Sequence, residues 1–268
     1  MVFGKSFTYN NKNSLTDFNL LMVDFDGSGK FEEPDTAQSL ELITERIGNN
    51  PRHTLINVRY EDTLSFKIGV CKSVCDNNSL EFTKDEVRSI HRWLTSDSYS
   101  KLTVDNKKYE NIFFNAVPIN ITPEIISDKI IGFVIEWKCD SPYGYETVSN
   151  VYTVDGNEIP ISFNNTTDDL LNSGIIRPHI KVLKKGTGEW HLANQTTDKV
   201  MSFSQLLNDE TLIIDCENYV LTSDVSNHNL YQYFNRVWTE FVSGSNLLKI
   251  SGNCTVSITC DIPRKAGI

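Results

Sequence analysis

The chain has 268 residues and a formal net charge of −10, from 25 Lys and Arg against 35 Asp and Glu. This negative charge would repel a nucleic-acid backbone and an anionic membrane surface, so we expect neither as a partner. Hydrophobic residues make up 39% of the composition, which excludes a disordered chain. The length slightly exceeds that of one typical hydrophobic core and favours two domains.

The first half of the chain predicts two helices and an alternating strand. Residues 36–47 indicate the weaker helix, which has a thin apolar face and is ended by a Gly-Asn-Asn-Pro run. Residues 64–70 alternate apolar and polar side chains, as a half-buried strand does. The capping-box pair Thr83 and Glu86 then begins a helix over about residues 84–95. Its apolar face is formed by Val87, Ile90, His91 and Leu94.

The second half predicts strands and a domain joint. Residues 130–135 and 211–214 are apolar runs, which we interpret as strands buried on both faces. The composition changes where a strand ends at a Pro/Gly turn, so we predict a first domain of residues 1–145 and a second of residues 146–268. Residues 255–260 alternate again. Short strands between turns rich in Gly, Asn and Asp favour sandwiches or barrels.

The sequence predicts reduced, mostly buried cysteines. No window is apolar enough for a signal peptide or a membrane span, so we expect the chain to be made and to fold in a cytosol. That compartment keeps thiols reduced, and six cysteines are too few over this length for a disulfide scaffold. The six are Cys71, Cys75, Cys139, Cys216, Cys254 and Cys260.

Residues 24–35 partly resemble an EF-hand calcium loop. Oxygen-bearing side chains stand at loop positions one, three, five, nine and twelve, and glycine stands at position six. Asp35 at position twelve is shorter than the usual bidentate Glu, and Pro34 restricts the residue before it. Residues 20–23 also indicate a strand where an EF-hand needs a helix. We therefore predict an acidic surface loop without a metal.

No other segment carries a catalytic or metal-binding pattern. Cys71 and Cys75 lack a second pair at zinc-finger distance, and the five histidines are scattered, so we expect His91 to be packed rather than catalytic. The adjacent Asp168 and Asp169 suit a solvated loop better than an acid-base pair. Motifs for nucleophilic catalysis and phosphoryl transfer are absent. We predict no catalytic residues, no metal, no cofactor and no enzyme activity.

An aromatic cluster near the C-terminus leaves two interpretations open. It comprises Tyr231, Tyr233, Phe234, Trp238 and Phe241. Aromatic rings stack on the apolar faces of sugars, so the cluster could line a carbohydrate-binding surface. Tyr231 and Tyr233 would share one face of a strand and Phe234 the other, which is also what ordinary sandwich packing produces. We favour the core interpretation.

Several segments occur in the order typical of one family. Residues 7–10 and 17–20 read Phe-Thr-Tyr-Asn and Asp-Phe-Asn-Leu, residues 86–94 end in Arg-Trp-Leu, and residues 101–105 read Lys-Leu-Thr-Val-Asp. Together they resemble the opening strand, the "D-F-G-L" segment, the "E-I-x-R-W-L" helix and the "L-x-x-D-D" segment of the distal tail proteins of long-tailed phages. Asn19 stands where that family usually has glycine.

The resemblance continues through the rest of the chain. Residues 109–116, 132–133 and 139–143 are similar to the family's "Y-x-x-I-Y-Y-N", "G-F" and "D-S-P-Y" segments. Residues 211–218 resemble "L-x-I-D-x-E-N" more loosely. Residues 244–246 occupy the place of a "P-G-x-N" turn, with serine in place of the proline.

This resemblance implies a mainly β virion structural protein: an N-terminal β domain with one α-helix and a C-terminal galectin-like β-sandwich. Members of the family form a homohexamer ring at the tail tip, where the first domain joins tail-tube and tail-tip proteins and the second carries a receptor-binding protein in some relatives. We expect synthesis in the host bacterial cytoplasm and incorporation into the virion. The family has no catalytic residues, and the binding residues are unknown at this point.

Two alternative functions remain open from the sequence. One is a carbohydrate-binding module protein that recognises host cell-wall sugars through the aromatic residues of the second domain. The more distant one is a glycosidase, whose paired carboxylates can lie far apart in sequence. Glycan binding by the second domain would support the first, and activity on host wall polysaccharide would support the second.

Overall fold

The computed structural model describes residues 4–25, 40–73, 79–171 and 173–265. The chain divides into two compact units, the first formed by Met1–Tyr145 with Arg264–Ile268 and the second by Glu146–Pro263. Both units consist mainly of strands, which confirms the predicted fold class.

The first unit is a β domain with two α-helices. Its strands are β1 (Phe7–Tyr9), β2 (Lys12–Asn13), β3 (Leu20–Val23), β4 (Leu40–Arg46), β5 (His53–Tyr60), β6 (Ser65–Lys72), β7 (Ser100–Val104), β8 (Ile112–Ile126) and β9 (Lys129–Cys139), and its helices are α1 (Ser14–Phe18) and α2 (Lys84–Leu94). Within this unit the strands pair in the order β3-β6-β9-β8-β7-β1-β2, and β4 pairs with β5. The short α1 was not predicted.

Helix α2 begins with the predicted capping box. The Thr83 hydroxyl accepts a hydrogen bond from the Glu86 amide at 3.3 Å, and the Glu86 carboxylate accepts one from the Thr83 amide at 2.7 Å. Lys72, a buried residue at the end of β6, donates to the same carboxylate at 2.8 Å and to the Glu81 carbonyl at 2.6 Å. One ion pair therefore attaches the first turn of the helix to the sheet.

The buried face of α2 agrees with the prediction except at two positions. Ile90 and Leu94 are buried. His91 is exposed, although its ring meets Phe133 edge-on at 6.1 Å, so this residue lies at the margin of the core. Trp93 is buried, which the apolar spacing of the helix had not indicated.

Trp93 occupies the centre of an aromatic core in the first unit. Its indole Nε1–H donates to the Tyr9 carbonyl at 3.0 Å. Its ring stacks on Phe18 at 4.1 Å and on Phe7 at 5.4 Å, and Trp137 meets Phe7 edge-on at 5.7 Å. The indole is buried without leaving its N–H unpaired, which removes the usual penalty for burying a Trp.

The helix predicted for residues 36–47 is wrong over the part that the structure describes, because residues 40–46 form strand β4. Leu42 lies opposite Val58 of β5 in an antiparallel ladder. The alternation around Leu42 matches a strand, and Gly48, with φ of 60°, reverses the chain between the two strands. Pairing with β5 therefore makes this segment a strand and not a helix. Residues 36–39 lie outside the described residues.

The second unit is a β-sandwich, as predicted. Its strands are β10 (Gly144–Val154, which begins at the end of the first unit), β11 (Ile159–Asn165), β12 (His179–Lys184), β13 (Gly188–Asn194), β14 (Lys199–Leu206), β15 (Thr211–Asp215), β16 (Val220–Ser223), β17 (Gly244–Ser251) and β18 (Cys254–Arg264). Within this unit the strands pair in the orders β16-β15-β12-β18-β10 and β11-β17-β13-β14. A single hydrophobic core belongs to this unit.

Two strands predicted to be buried on both faces are buried on one. In β15, Leu212 and Ile214 are buried, but Ile213 between them is 47% exposed. In β9, Phe133 and Ile135 are buried while Val134 is half-buried. The reason is that antiparallel sheets place one face on a core and the other toward solvent, even where the sequence is apolar on both.

Four of the five described cysteines are buried, in agreement with the expectation. Cys71 is half-buried, and the burial of Cys139, Cys216 and Cys260 raises the pKa of each thiol to about 12. These thiols remain protonated and unreactive at neutral pH. Cys75 lies outside the described residues.

Candidate assembly surface

The residues considered for metal binding do not form a site in the described part of the chain. Of residues 24–35, only Asp24 and Phe25 are described, so the predicted acidic loop lies largely outside the described residues. Within the described ranges there is no group of three or more His, Cys, Asp or Glu that could hold a metal ion. No described helix is long and apolar enough to cross a membrane.

The histidines are dispersed, as their sequence positions suggested. Three of them contact one carboxylate each: His179 with Asp215 at 3.7 Å, His191 with Glu189 at 3.0 Å, and His228 with Glu210 at 2.7 Å. Asp168 and Asp169 lie in the loop after β11 and are half-buried, rather than fully solvated as expected. The structure does not bring these groups together into one constellation.

The strands β4 and β5 form an arm, residues 40–60, that pairs with no other described strand. Cross-strand neighbours share a face of a hairpin, and on one face of the arm they are mostly apolar, apart from Thr44, Arg46 and His53 toward the turn. This apolar face comprises Leu40, Leu42, Leu55, Val58 and Tyr60. Leu40, Leu42 and Leu55 are 49%, 60% and 54% exposed. An isolated hairpin is marginally stable in water, and clustered exposed leucines mark a surface that a partner covers.

The base of the arm is attached firmly to the first unit, and its other face is polar except for the half-buried Ile43. The Tyr60 hydroxyl hydrogen-bonds that of the buried Tyr143 at 2.5 Å, with the two rings perpendicular at 5.3 Å. On the opposite face, Arg59 and Glu41 form an ion pair at 2.6 Å. The solvated face and the anchored base leave the apolar face as the surface available for contact.

A second exposed apolar surface lies at the far end of the β8–β9 hairpin, which we call the tip. Ser127 and Asp128 have φ of 49° and 67°, the left-handed pair that a two-residue hairpin turn requires. Beside this turn, Ile125 and Ile126 are 58% and 61% exposed. The first unit therefore presents two exposed apolar surfaces, the arm and the tip.

Sequence reasoning missed the arm because it interpreted residues 36–47 as a helix. A usable signal was present: Leu40 and Leu42 alternate on one side of the Gly-Asn-Asn-Pro turn, and β-branched residues follow on the other. Interpreting the segments on both sides of this turn as strands would have predicted a hairpin. Its exposure could not be predicted, since the same alternation describes a hairpin that packs on a core.

The five residues of the aromatic cluster in the second unit differ in burial. Phe234 and Phe241 are buried in the core, in line with the favoured interpretation. Tyr231 is 45% exposed, and Tyr233 and Trp238 are half-buried. Part of the cluster therefore lies at the surface, where a ligand could reach it.

Sequence models of two domain families match the chain. The phage tail protein N-terminal domain matches residues 3–141, and the phage tail C-terminal domain matches residues 143–260. An uncharacterized protein derived from the SPbeta prophage of Bacillus subtilis (strain 168) is 26% identical over 250 residues, which cover 92% of this chain and 89% of that protein.

Two solved structures resemble the whole chain in fold. The Dit protein of phage SPP1, described as a paradigm of the hub adsorption apparatus in phages that infect Gram-positive bacteria, is 12% identical with a TM-score of 0.64, over 95% of this chain and 97% of that one. A chain of the phage p2 baseplate in its activated conformation is 8% identical with a TM-score of 0.55, with the same coverage.

Proposed function

The chain belongs to the phage tail protein family, and from this membership we propose that it is a distal tail protein that acts as a baseplate hub. In this role it is a structural part of the virion at the tail tip and not an enzyme. Copies of it form a hexameric ring that joins the tail tube to tail-tip and receptor-binding proteins. The likeness in fold to the SPP1 Dit protein and to the p2 baseplate chain supports this proposal.

The arm is the single observation that carries the proposal. A ring of identical copies needs a head-to-tail contact, in which two different surfaces of each copy meet. The arm and the tip are two such surfaces on one unit, and both expose large apolar side chains. Burying a fully exposed leucine side chain contributes about 1.5–3 kcal/mol, so the three half-exposed leucines of the arm supply part of the free energy of association.

The charge on the arm also favours contact with another copy. Residues 40–60 contain three Arg and two Glu, a formal charge of +1, whereas the whole chain carries −10. A weakly positive arm is attracted to the acidic remainder of a neighbouring copy. Attraction of this kind steers a head-to-tail contact rather than one between two equivalent arms.

Light scattering of the full chain at about 0.15 M salt tests the proposal. We expect a hexamer, or a monomer that converts to a hexamer when tail-tube or tail-tip protein is added. Leu42→Gln with Leu55→Gln should abolish the hexamer because it makes the apolar face of the arm polar. Thr54→Gln with Asn57→Gln, on the opposite face, is the matched control and should assemble normally.

Two outcomes would contradict the proposal in different ways. Hexamers formed equally well by the two variants would show that the arm is not the ring contact. A full chain that stays monomeric with both partners present would end the hub assignment. If that monomer also bound a glycan tightly, the carbohydrate-binding alternative would replace it.

A further inference from the structure

Tyr219 in the second unit has an unusual backbone conformation. It follows a turn in which the Asp215 carboxylate accepts hydrogen bonds from the Glu217 and Asn218 amides at 3.0 and 2.9 Å. Its φ is 59°, a region that bulky residues rarely adopt and that is retained mainly where function uses it. The result is a tyrosine ring held at the surface, 51% exposed.

Tyr219 forms one side of a surface that we call the aromatic shelf, made of Tyr219, Tyr231 and Trp238. The Tyr219 ring meets Trp238 edge-on at 5.3 Å, and Trp238 in turn meets the buried Phe234 at 5.0 Å. The Tyr231 hydroxyl donates to the Tyr219 carbonyl at 3.4 Å and accepts from the Leu221 amide at 3.3 Å. The shelf is thus attached to both the core and the strand β16.

One hydrogen-bond donor of the shelf has no partner among the described residues. In the described part of the chain, the Trp238 indole N–H has no acceptor, and it is not fully buried. Arg236, two residues earlier, is exposed and has no carboxylate partner among the described residues. Arg236 also has a positive φ, 64°, so the chain bends sharply beside the shelf. Apolar ring surface and an unused indole donor therefore lie together.

We propose that the aromatic shelf is a saccharide-binding site. A pyranose ring has an apolar C–H face bordered by hydroxyl oxygens, which matches exposed aromatic rings that include a free indole donor. The three partly exposed rings offer at most roughly 300 Å², well below the 800 Å² or so that each side of a stable protein interface buries. The inference goes beyond the hub function and does not depend on ring assembly.

Tryptophan fluorescence of the full chain provides a direct readout. The chain has four Trp, and Trp93, Trp137 and Trp190 are at most 5% exposed, so iodide in solution should quench Trp238 selectively. We would titrate soluble oligosaccharides of glucose, galactose and N-acetylglucosamine to millimolar concentrations. We expect at least one of them to change the tryptophan emission up to a saturating value and to reduce the quenching of Trp238 by iodide.

Tyr219→Gly is the decisive variant, because glycine adopts a positive φ without strain and the ring alone is removed. We expect saccharide binding to weaken by about tenfold or more, with the thermal unfolding temperature not lowered. Tyr99→Ala is the matched control, since Tyr99 is 50% exposed in the first unit, and it should bind normally. The proposal is overturned if no saccharide of the panel protects Trp238, or if Tyr219→Gly binds as the unaltered chain does.

Discussion

At the scale of single residues, positions that resemble the family motifs meet definite backbone or hydrogen-bond requirements. Asn19 ends α1 with φ of 56°, a conformation that glycine and asparagine tolerate best, so asparagine replaces the usual glycine without strain. Asn115 donates to the Asp140 carboxylate at 3.0 Å and so connects two motif segments that are distant in sequence. These motif residues support the fold, which is consistent with a structural role.

Two Glu–His pairs differ in burial and should differ in their contribution to stability. Glu210 is fully buried and accepts hydrogen bonds from Ser223 at 2.6 Å and from a backbone amide, besides its 2.7 Å contact with His228. Glu210→Leu leaves these groups unpaired and should lower the free energy of unfolding by about 3–5 kcal/mol. Glu189→Leu, at the exposed pair with His191, should change it by less than about 0.5 kcal/mol. Equal losses in urea unfolding would contradict this expectation.

The ion pair of Glu86 should make stability depend on pH in the acidic range. Burial raises the pKa of Glu86, but hydrogen bonds from Lys72 and Thr83 together outweigh it, so the pKa lies below the ordinary 4.5. A lowered folded-state pKa means that the stabilisation is fully present above about pH 4.5 and is lost as the pH falls through the lower value.

Glu86→Gln isolates this effect, because glutamine can keep the capping hydrogen bond but not the charge. We expect it to lower the free energy of unfolding by about 1–2 kcal/mol at neutral pH, a value reduced for the 40% exposure of the Glu86 side chain. The difference from the unaltered chain should shrink as the pH falls through the lowered pKa of Glu86, because the protonated carboxyl is then neutral, as the glutamine is. A difference that stays constant with pH in urea unfolding would exclude the ion pair as its cause.

At the scale of elements, the contact between β6 and β9 depends on a glycine. A Cβ on Gly132 would overlap the Phe25 ring and lie 2.6 Å from the Val70 carbonyl oxygen, and the backbone oxygen cannot turn away as a side chain can. Gly132→Ala should therefore lower the free energy of unfolding by about 1–3 kcal/mol. Adding Phe25→Leu, which shortens the overlapping ring, should recover part of this loss. If Gly132→Ala left the thermal unfolding temperature unchanged, the sheet would have moved to accommodate the methyl group at little cost in free energy.

At the scale of the whole molecule, each unit has its own hydrophobic core, so we expect two unfolding transitions in calorimetry. Leu212→Ala should lower only the transition of the second unit, and Leu102→Ala only that of the first. Both leucines are fully buried, and each truncation should cost about 2–5 kcal/mol. A single transition that both variants shift would mean that the units unfold as one.

The net charge of the chain should make ring assembly sensitive to salt. A charge of −10 per copy accumulates over six copies, and screening is weakest at low ionic strength, where the Debye length grows from about 8 Å at 0.15 M to about 30 Å at 0.01 M. We therefore expect light scattering to show weaker assembly at the lower salt. Tighter assembly there would mean that attraction by the positive arm outweighs the net repulsion.

The sequence by itself determined features that depend on neighbouring residues. The capping box at Thr83 began α2 where predicted, and the alternation over residues 64–70 and 255–260 became β6 and β18. The order of the motifs along the chain also indicated the phage tail family. Such features were predictable because hydrogen bonds and side-chain direction within one element depend on residues a few positions apart.

Only the tertiary structure decided which surfaces are exposed. Residues 40–46 form a strand because they pair with β5. Ile213 faces solvent because only one face of its strand packs on a hydrophobic core. The arm and the aromatic shelf likewise combine residues whose exposure depends on how whole strands pack. The sequence shows that a side chain is apolar, but not whether distant segments of the chain cover it. Burial by those segments, and not the local pattern, decides whether the side chain lies in a core or on a surface.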